Sequence, residues 1–287
     1  MNNKDIPMVS VCMITYNHEA YIAQAIEGVL TQKTNFPIEL IIGEDCSTDN
    51  TREICIEYKK KYPEVIKLKL RENNLGVIGN FIQTLHEAKS KYIAICEGDD
   101  YWTDPLKLEK QVQFMEENKI YSFCFHNATR YFADTNIFED FNKNYKNRSY
   151  KTKDLLIKDW FIPTASILLR TSILPHPFPK WYYDIYNGDY GLELLLSIKG
   201  DFYYMNENMS VYRKNAVNSL SLNGPQGVEI VKRKIFLLQK FKESKLSKNV
   251  IIINYSIAYA RYNLMKVYIY NKLPFVERLK DSVFHRK

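Results

Sequence analysis

"MVSVCMITYNHEAYIAQAIEGVLTQ", residues 8–32, decides the fold class. Its first half is a short apolar run, rich in Val and Ile, that stops at Thr15, Tyr16 and Asn17. That is the pattern of a buried strand ending in polar residues. Its second half places Ile22, Ala25, Ile26, Val29 and Leu30 at the three- and four-residue spacing of a helix. The pairing then repeats. "IELIIGED" (38–45) reads as a second buried strand. "STDNTREICIEYKKKYP" (47–63) reads as a second helix, with Ser47 or Thr48 placed to cap its start and Pro63 to end it. "VIKLKLRE" (65–72) alternates as a third strand, "GNFIQTLHEAKS" (79–90) is a third helix and "KYIAICEGDD" (91–100) a fourth strand. Strands alternating with helices predict an α/β fold with a mostly parallel sheet flanked by crossover helices.

Ligands of such sheets collect outside the carboxyl ends of the strands. Three of those ends are polar here: "TYN" (15–17), "GEDCSTDN" (43–50) and "EGDDYW" (97–102). They are expected to converge on one edge. The segment after the first strand, "TYNHEAY", holds none of the glycines of a dinucleotide-binding loop, and no GxxxxGK[ST] occurs in the chain. No carboxylate precedes Glu19 there, where a phosphatase would carry its aspartate. "GVIGN" (76–80) reads as a turn at a helix start. What remains is the cluster of Glu97, Asp99 and Asp100. Like charges this close repel, and oxygen-rich sites suit Mg²⁺ or Mn²⁺, which hold one or two carboxylates plus the phosphates of a ligand. The spacing alone fits a solvated acidic turn equally well.

The 287 residues suffice for one large domain with an extension. The formal net charge of +7 is unevenly placed: from Val228 onward there are 14 Lys+Arg against 4 Asp+Glu, leaving 26 against 29 before it. A mildly acidic body argues against nucleic acid as the partner. The five Cys include no CxxC pair and read as buried reduced thiols. Lys4 and Asp5 lead straight into a strand, so no signal peptide is expected. The greasiest stretch, 249–260, is shorter than the ~20 residues needed to span a bilayer. A cytoplasmic location is expected.

"VSVCMITYNHEAYIAQAIEGVLTQ", "IELIIGEDCSTDNT", "NLGVIGNF" and "YIAICEGDDYWTDPLKLEKQV" follow one another as in family 2 glycosyltransferases. The resemblance is close over about residues 8–115 and looser to about 215. It implies a GT-A fold and an inverting enzyme, with a nucleotide-sugar donor, a divalent Mn²⁺ or Mg²⁺, and a glycan or lipid-linked acceptor in bacterial surface polysaccharide synthesis. It implies a nucleotide-binding half over about 1–115, an acceptor-side half over about 116–227 and a basic helical extension over 228–287. Thr15, Tyr16 and Asn17 would contact the nucleotide. Asp45 would read the base, and a carboxylate accepting the N3–H of uracil fits a UDP donor. Glu97, Asp99 and Asp100 stand where the family usually shows Asp-Ala-Asp-Asp: Asp99 toward ribose or metal, Asp100 toward metal and diphosphate, with Glu97 a departure from the commoner Asp.

The family's catalytic base is an acid at the start of a later helix. "YNGDYGLELLLSIKG" (186–200) has that layout and makes Asp189 the base, with Asp184 and Glu193 next in line. "MSVYRKN" (209–215) resembles the family's later strand, with Arg213 expected on phosphate. The His that commonly follows is replaced by Lys214 and Asn215. Trp102 suits either a sugar-stacking face or core packing. "WFIPTASILLR" (160–170) is expected to be a strand, and "PHPFPKWYYD" (175–184) a loop with exposed aromatics. The segment after Pro274 either lies on an anionic bilayer or packs on protein. Two other readings stay open: a GT-A-like nucleotide-sugar-binding protein without turnover, and a metal-dependent nucleotidyltransferase.

Overall fold

The computed structural model describes residues 6–158, 160–215, 217, 222 and 227–272. These fall into two compact units. One runs to Asp184 and resumes at Gly188 through the last strand; the other joins Ile185–Asn187 to two helices beyond residue 227.

The large unit is built on one ten-stranded sheet. Its first half alternates as the sequence predicts: β1 (Val9–Thr15), α1 (Ile22–Leu30), β2 (Ile38–Glu44), α2 (Thr51–Lys61), β3 (Ile66–Leu70), α3 (Gly76–Glu87) and β4 (Tyr92–Ile95). The order across the sheet is β3-β2-β1-β4, with every pair parallel. Val9, Val11, Met13, Leu40, Ile42 and Ala94 are fully buried. Unbroken apolar runs are the signature of strands covered on both faces. The chain leaves β1 toward β2 on one side and β4 on the other, so a crevice opens where the order reverses.

The second half extends the same sheet. It comprises β5 (Tyr101–Trp102), α4 (Lys107–Glu117), β6 (Tyr121–Phe132), β7 (Ile137–Asp140), β8 (Arg148–Tyr150), α5 (Thr152–Ile157), β9 (Leu168–Arg170), α6 (Gly188–Ser197) and β10 (Asp201–Lys214). The order continues β4-β9-β6-β10-β5; β9 is antiparallel to both its neighbours, and β6 and β10 are parallel. The two halves thus share one sheet.

Three local expectations are corrected. Only Leu168–Arg170 of "WFIPTASILLR" is a strand. Pro163 has no N–H to give a ladder, and Thr164–Ser166 coils into a 3₁₀ turn closed by the Ser166 N–H on the Pro163 carbonyl at 2.9 Å. In the loop at 175–184, Tyr182 is buried and donates its hydroxyl to the Gly188 carbonyl at 2.5 Å, while Tyr183 is exposed. Neither Ser47 nor Thr48 caps α2. Asp49 Oδ1 instead accepts the Thr51 N–H at 3.0 Å, and Ser47 Oγ accepts the Asn17 N–H.

The smaller unit holds α7 (Val228–Glu243) and α8 (Val250–Lys272). Leu237, Leu238 and Phe241 of α7 and Ile253 of α8 are buried. Among the described residues, no helix is long and apolar enough to cross a membrane. The segment after Pro274 lies outside the described residues.

Candidate active site

The polar strand ends meet at the crevice. Thr15 pairs with Glu44 at the ends of β1 and β2. Beyond β4 the chain continues alongside β1, with the Gly98 N–H donating to the Ile14 carbonyl at 3.0 Å. Glu97, Asp99 and Asp100 form a tight turn in which the Asp100 N–H bonds the Glu97 carbonyl at 3.1 Å. Gly98 lets this turn lie against β1. A Cβ there would stand 2.7 Å from Thr15 Oγ1 and 3.0 Å from His18 Nδ1.

The loop after β1 is tied to the loop after β2. Asn17 takes the left-handed conformation at φ 55°, which Asn tolerates better than most residues. Its Oδ1 accepts the Thr48 N–H at 2.8 Å. Tyr16 is exposed. Asp45, 3% exposed, accepts the Leu75 N–H on Oδ1 at 2.8 Å. Burial pushes its carboxyl above the ordinary value, against the pull of the Leu75 and Gly76 N–H groups and of Arg71.

The acid turn is held by a residue from the other half of the chain. Arg213, near the end of β10, donates its backbone N–H to Asp100 Oδ1 at 2.9 Å. Its guanidinium bonds the Asp99 carbonyl and Gln24 Oε1, and lies over the rings of Tyr101 (4.4 Å) and Tyr21 (5.0 Å). The Arg213 side chain, expected on phosphate, is buried and bonded to protein groups. Trp102 belongs to the core. It is 4% exposed, donates to the Ala165 carbonyl at 2.9 Å and carries the Lys107 ammonium 3.9 Å from its ring centre.

Asp100 is 2% exposed and Glu97 half-buried. Both carboxyls are held well above the usual carboxylate range, by burial first and then by their acidic neighbours. For Glu97 those neighbours include Asp189 as well as Asp99 and Asp100. Residues about ninety positions apart in the chain thus act on one another electrostatically. Asp189 sits in the first turn of α6, where a helix terminus favours negative charge. Its Oδ2 accepts the Trp160 Nε1–H at 3.1 Å and its Oδ1 the Tyr190 N–H at 2.8 Å. Burial raises its pKa against both bonds. One turn further on, Glu193 is fully buried with neither carboxylate oxygen hydrogen-bonded, and burial followed by Asp189 pushes its pKa well up.

Three residues of the site were not expected from the sequence. His18 Nε2 stands 4.0 Å from Asp99 Oδ2, and its Nδ1 3.3 Å from Thr15 Oγ1. Gln24 receives Arg213, and Trp160 orients Asp189. The position of His18 directly after Thr-Tyr-Asn was the signal available for it. Gln24 and Trp160 gave none, because their partners are remote in sequence.

The donor set fits a divalent ion of the kind that keeps substrate oxygens among its ligands. Asp99 and Asp100 are adjacent carboxylates, and among the described residues no group of three or more His, Cys, Asp or Glu is placed to hold an ion without further ligands.

The family model for glycosyl transferase family 2 matches residues 10–176, more than half the chain. The chain belongs to this family. A Mycobacterium tuberculosis protein, Rv1520, is 37% identical over 208 residues, covering 72% of this chain and 59% of its own length. The chain therefore spans well under two thirds of that relative. Among solved structures, S. aureus TarS in complex with UDP-GlcNAc superposes with a TM-score of 0.66 at 15% identity, over 89% of this chain and 72% of TarS. The mannosyltransferase PcManGT of Pyrobaculum calidifontis, in complex with GDP-Man and Mn²⁺, gives 0.61 at 13% identity, over 96% and 79%. At such identities the likeness establishes the fold, which is GT-A.

Proposed function

We propose that this family 2 chain is an inverting glycosyltransferase that moves a sugar from a UDP-sugar to a hydroxyl of a glycan or lipid-linked acceptor. The observation that carries the reading is that Asp189 lies near enough to the acid turn to raise the pKa of Glu97, although the two are about ninety positions apart in the chain. The acid turn suits a nucleoside diphosphate and Asp189 the role of proton acceptor. In this reading residues up to about 115 hold the nucleotide, and residues from about 116 to 227 shape the acceptor side.

The residues divide the work as follows. Tyr16 and Asn17, with Thr15 behind them, border the nucleotide. Asp45 accepts a base N–H with the carboxylate oxygen not engaged by Leu75. Uracil offers its N3–H for this purpose, and UDP-GlcNAc is the ligand named for TarS, whereas PcManGT takes GDP-Man. Asp99 and Asp100 would hold Mn²⁺ or Mg²⁺, which would supply counter-charge to the diphosphate. Glu97 feels both these acids and Asp189, and Arg213 fixes the turn.

The acceptor oxygen forms its bond to the anomeric carbon from the face opposite the diphosphate. The bond to the diphosphate oxygen breaks, and the acceptor proton passes to Asp189. A base contributes typically ~10²–10⁴-fold when its pKa approaches the working pH, and burial moves Asp189 in that direction. Asp189 is a better base than Glu193, whose carboxyl is fully enclosed. In this reading the basic stretch beyond residue 228 would hold the enzyme at the anionic inner face of the membrane, where a lipid-linked acceptor would lie.

The test is UDP binding by calorimetry with and without Mn²⁺. Wild type is expected to bind UDP more tightly with the ion, and Asp99→Ala to lose that gain. Equal Mn²⁺-dependent affinity in the variant would remove Asp99 from the metal site. No UDP binding by wild type would overturn the donor assignment.

A further inference from the structure

Trp160 is the large apolar side chain beside the base that remains open to solvent. The residue is 43% exposed, against 4% for Trp102. It is also held rigidly. Nε1 is fixed on Asp189 Oδ2 at 3.1 Å, and the ring meets Phe141 at 5.1 Å and Tyr212 at 5.4 Å, with interplanar angles of 72° and 81°. Three contacts from separate segments set the plane of a flat apolar surface within hydrogen-bond distance of the proton acceptor.

Orienting a carboxylate needs only an N–H donor, and a buried amide would serve. An indole adds a broad π surface, and the residue that carries this one is 43% exposed. A pyranose has the complementary shape. Its axial C–H groups make an apolar face, while its hydroxyls project from the rim. A ring laid on Trp160 buries that face and brings a rim hydroxyl to the carboxylate that the same indole holds.

We propose that Trp160 is the acceptor platform: it binds a pyranose of the acceptor by stacking, and through Nε1 it positions Asp189 for that sugar's hydroxyl. The inference rests on the transferase reading above and narrows the acceptor to one whose reacting hydroxyl belongs to a sugar ring. The two roles of Trp160 are separable. Phe keeps an aromatic face and loses the donor; Ala loses both.

The test uses methyl β-D-glucopyranoside and methyl N-acetyl-β-D-glucosaminide as probes, with UDP and Mn²⁺ present and saturation-transfer NMR as the readout. Wild type and Trp160→Phe are expected to transfer saturation to the pyranose C–H protons of at least one probe. Trp160→Ala is expected to bind it at least tenfold more weakly. Hydrolysis of UDP-glucose or UDP-GlcNAc by water, which needs the oriented base but no acceptor, is expected to fall in both variants alike. UDP binding should be unchanged in both, which also shows that they are folded. Glycoside binding that survives in Trp160→Ala, or is absent from wild type, overturns the proposal. So does hydrolysis that is unaffected by Trp160→Phe. Loss of UDP binding in wild type would instead strike the transferase reading itself.

Discussion

Replacing Glu193 by Gln takes one ionisable proton out of the interior while nearly conserving volume. Glu193 is fully buried, neither oxygen has a hydrogen-bond partner, and the nearby charge is another acid, Asp189. All of these favour the protonated form, so the folded pKa lies well above its ordinary value. In the unfolded chain Glu titrates near ~4.3. Between those two values the folded state keeps a proton that the unfolded state has released. The stability that Glu193 contributes is therefore complete below the unfolded pKa, and it is lost as pH rises toward the folded one. The slope for one proton is about 1.4 kcal/mol per pH unit. From pH 5 to pH 6 the variant should gain on wild type by up to that amount. With a urea m-value of about 3 kcal/mol/M, the difference between the two midpoints should widen by about 0.5 M. All three tryptophans lie in the large unit, so urea melts followed by their fluorescence report on the right part of the molecule. Wild-type and variant midpoints that move in parallel across this interval would refute the reasoning. They would mean that Glu193 ionises in the folded protein.

Asp189→Asn keeps the side-chain shape but cannot take a proton; sugar transfer should fall ~10²-fold or more, while UDP affinity stays at the wild-type level. Asp45→Ala should weaken UDP more than inorganic pyrophosphate when both are titrated by calorimetry, and equal losses would place Asp45 away from the base. Gly98→Ala puts a Cβ 2.7 Å from Thr15 Oγ1 and 2.8 Å from Thr15 Cβ. The turn must then move off β1, which should cost about 1–3 kcal/mol in a denaturant melt and weaken Mn²⁺-dependent UDP binding at least tenfold. Wild-type affinity in that variant would show that the close approach is not needed.

The first 115 residues were legible because each element there is encoded locally. Short apolar runs such as 40–42 and 92–95 read as buried strands, and the helices between them carry their period openly. Their order then fixes which strand ends converge. Legibility fell where one residue overrode its neighbours, as Pro163 did in breaking an apolar run that otherwise reads as a strand. It also fell where a contact spans the chain. The pairing of Gln24 with Arg213 and of Trp160 with Asp189 leaves no mark on local pattern. Nothing in the local pattern around Arg213 announced that its guanidinium would lie over the rings of Tyr21 and Tyr101. Cap chemistry at α2 was read one or two residues too early: Ser47 and Thr48 serve Asn17, and Asp49 serves the helix.

The bond from the Arg213 N–H to Asp100 joins residues 113 positions apart. A chain emerging from the ribosome N-terminus first completes β1 to β4 long before β10 exists. During that interval Glu97, Asp99 and Asp100 face one another without the N–H and the guanidinium that later pin their turn. Contacts of long sequence separation form late and slow folding. The nucleotide pocket should therefore be among the last regions to become rigid. Nascent chains stalled before residue 201 would be expected to hold a folded sheet edge and bind no UDP, and binding should appear once β10 has cleared the exit tunnel. Donor binding would then mark completion of the large unit, so that a sugar nucleotide engages finished molecules and passes over those still being made.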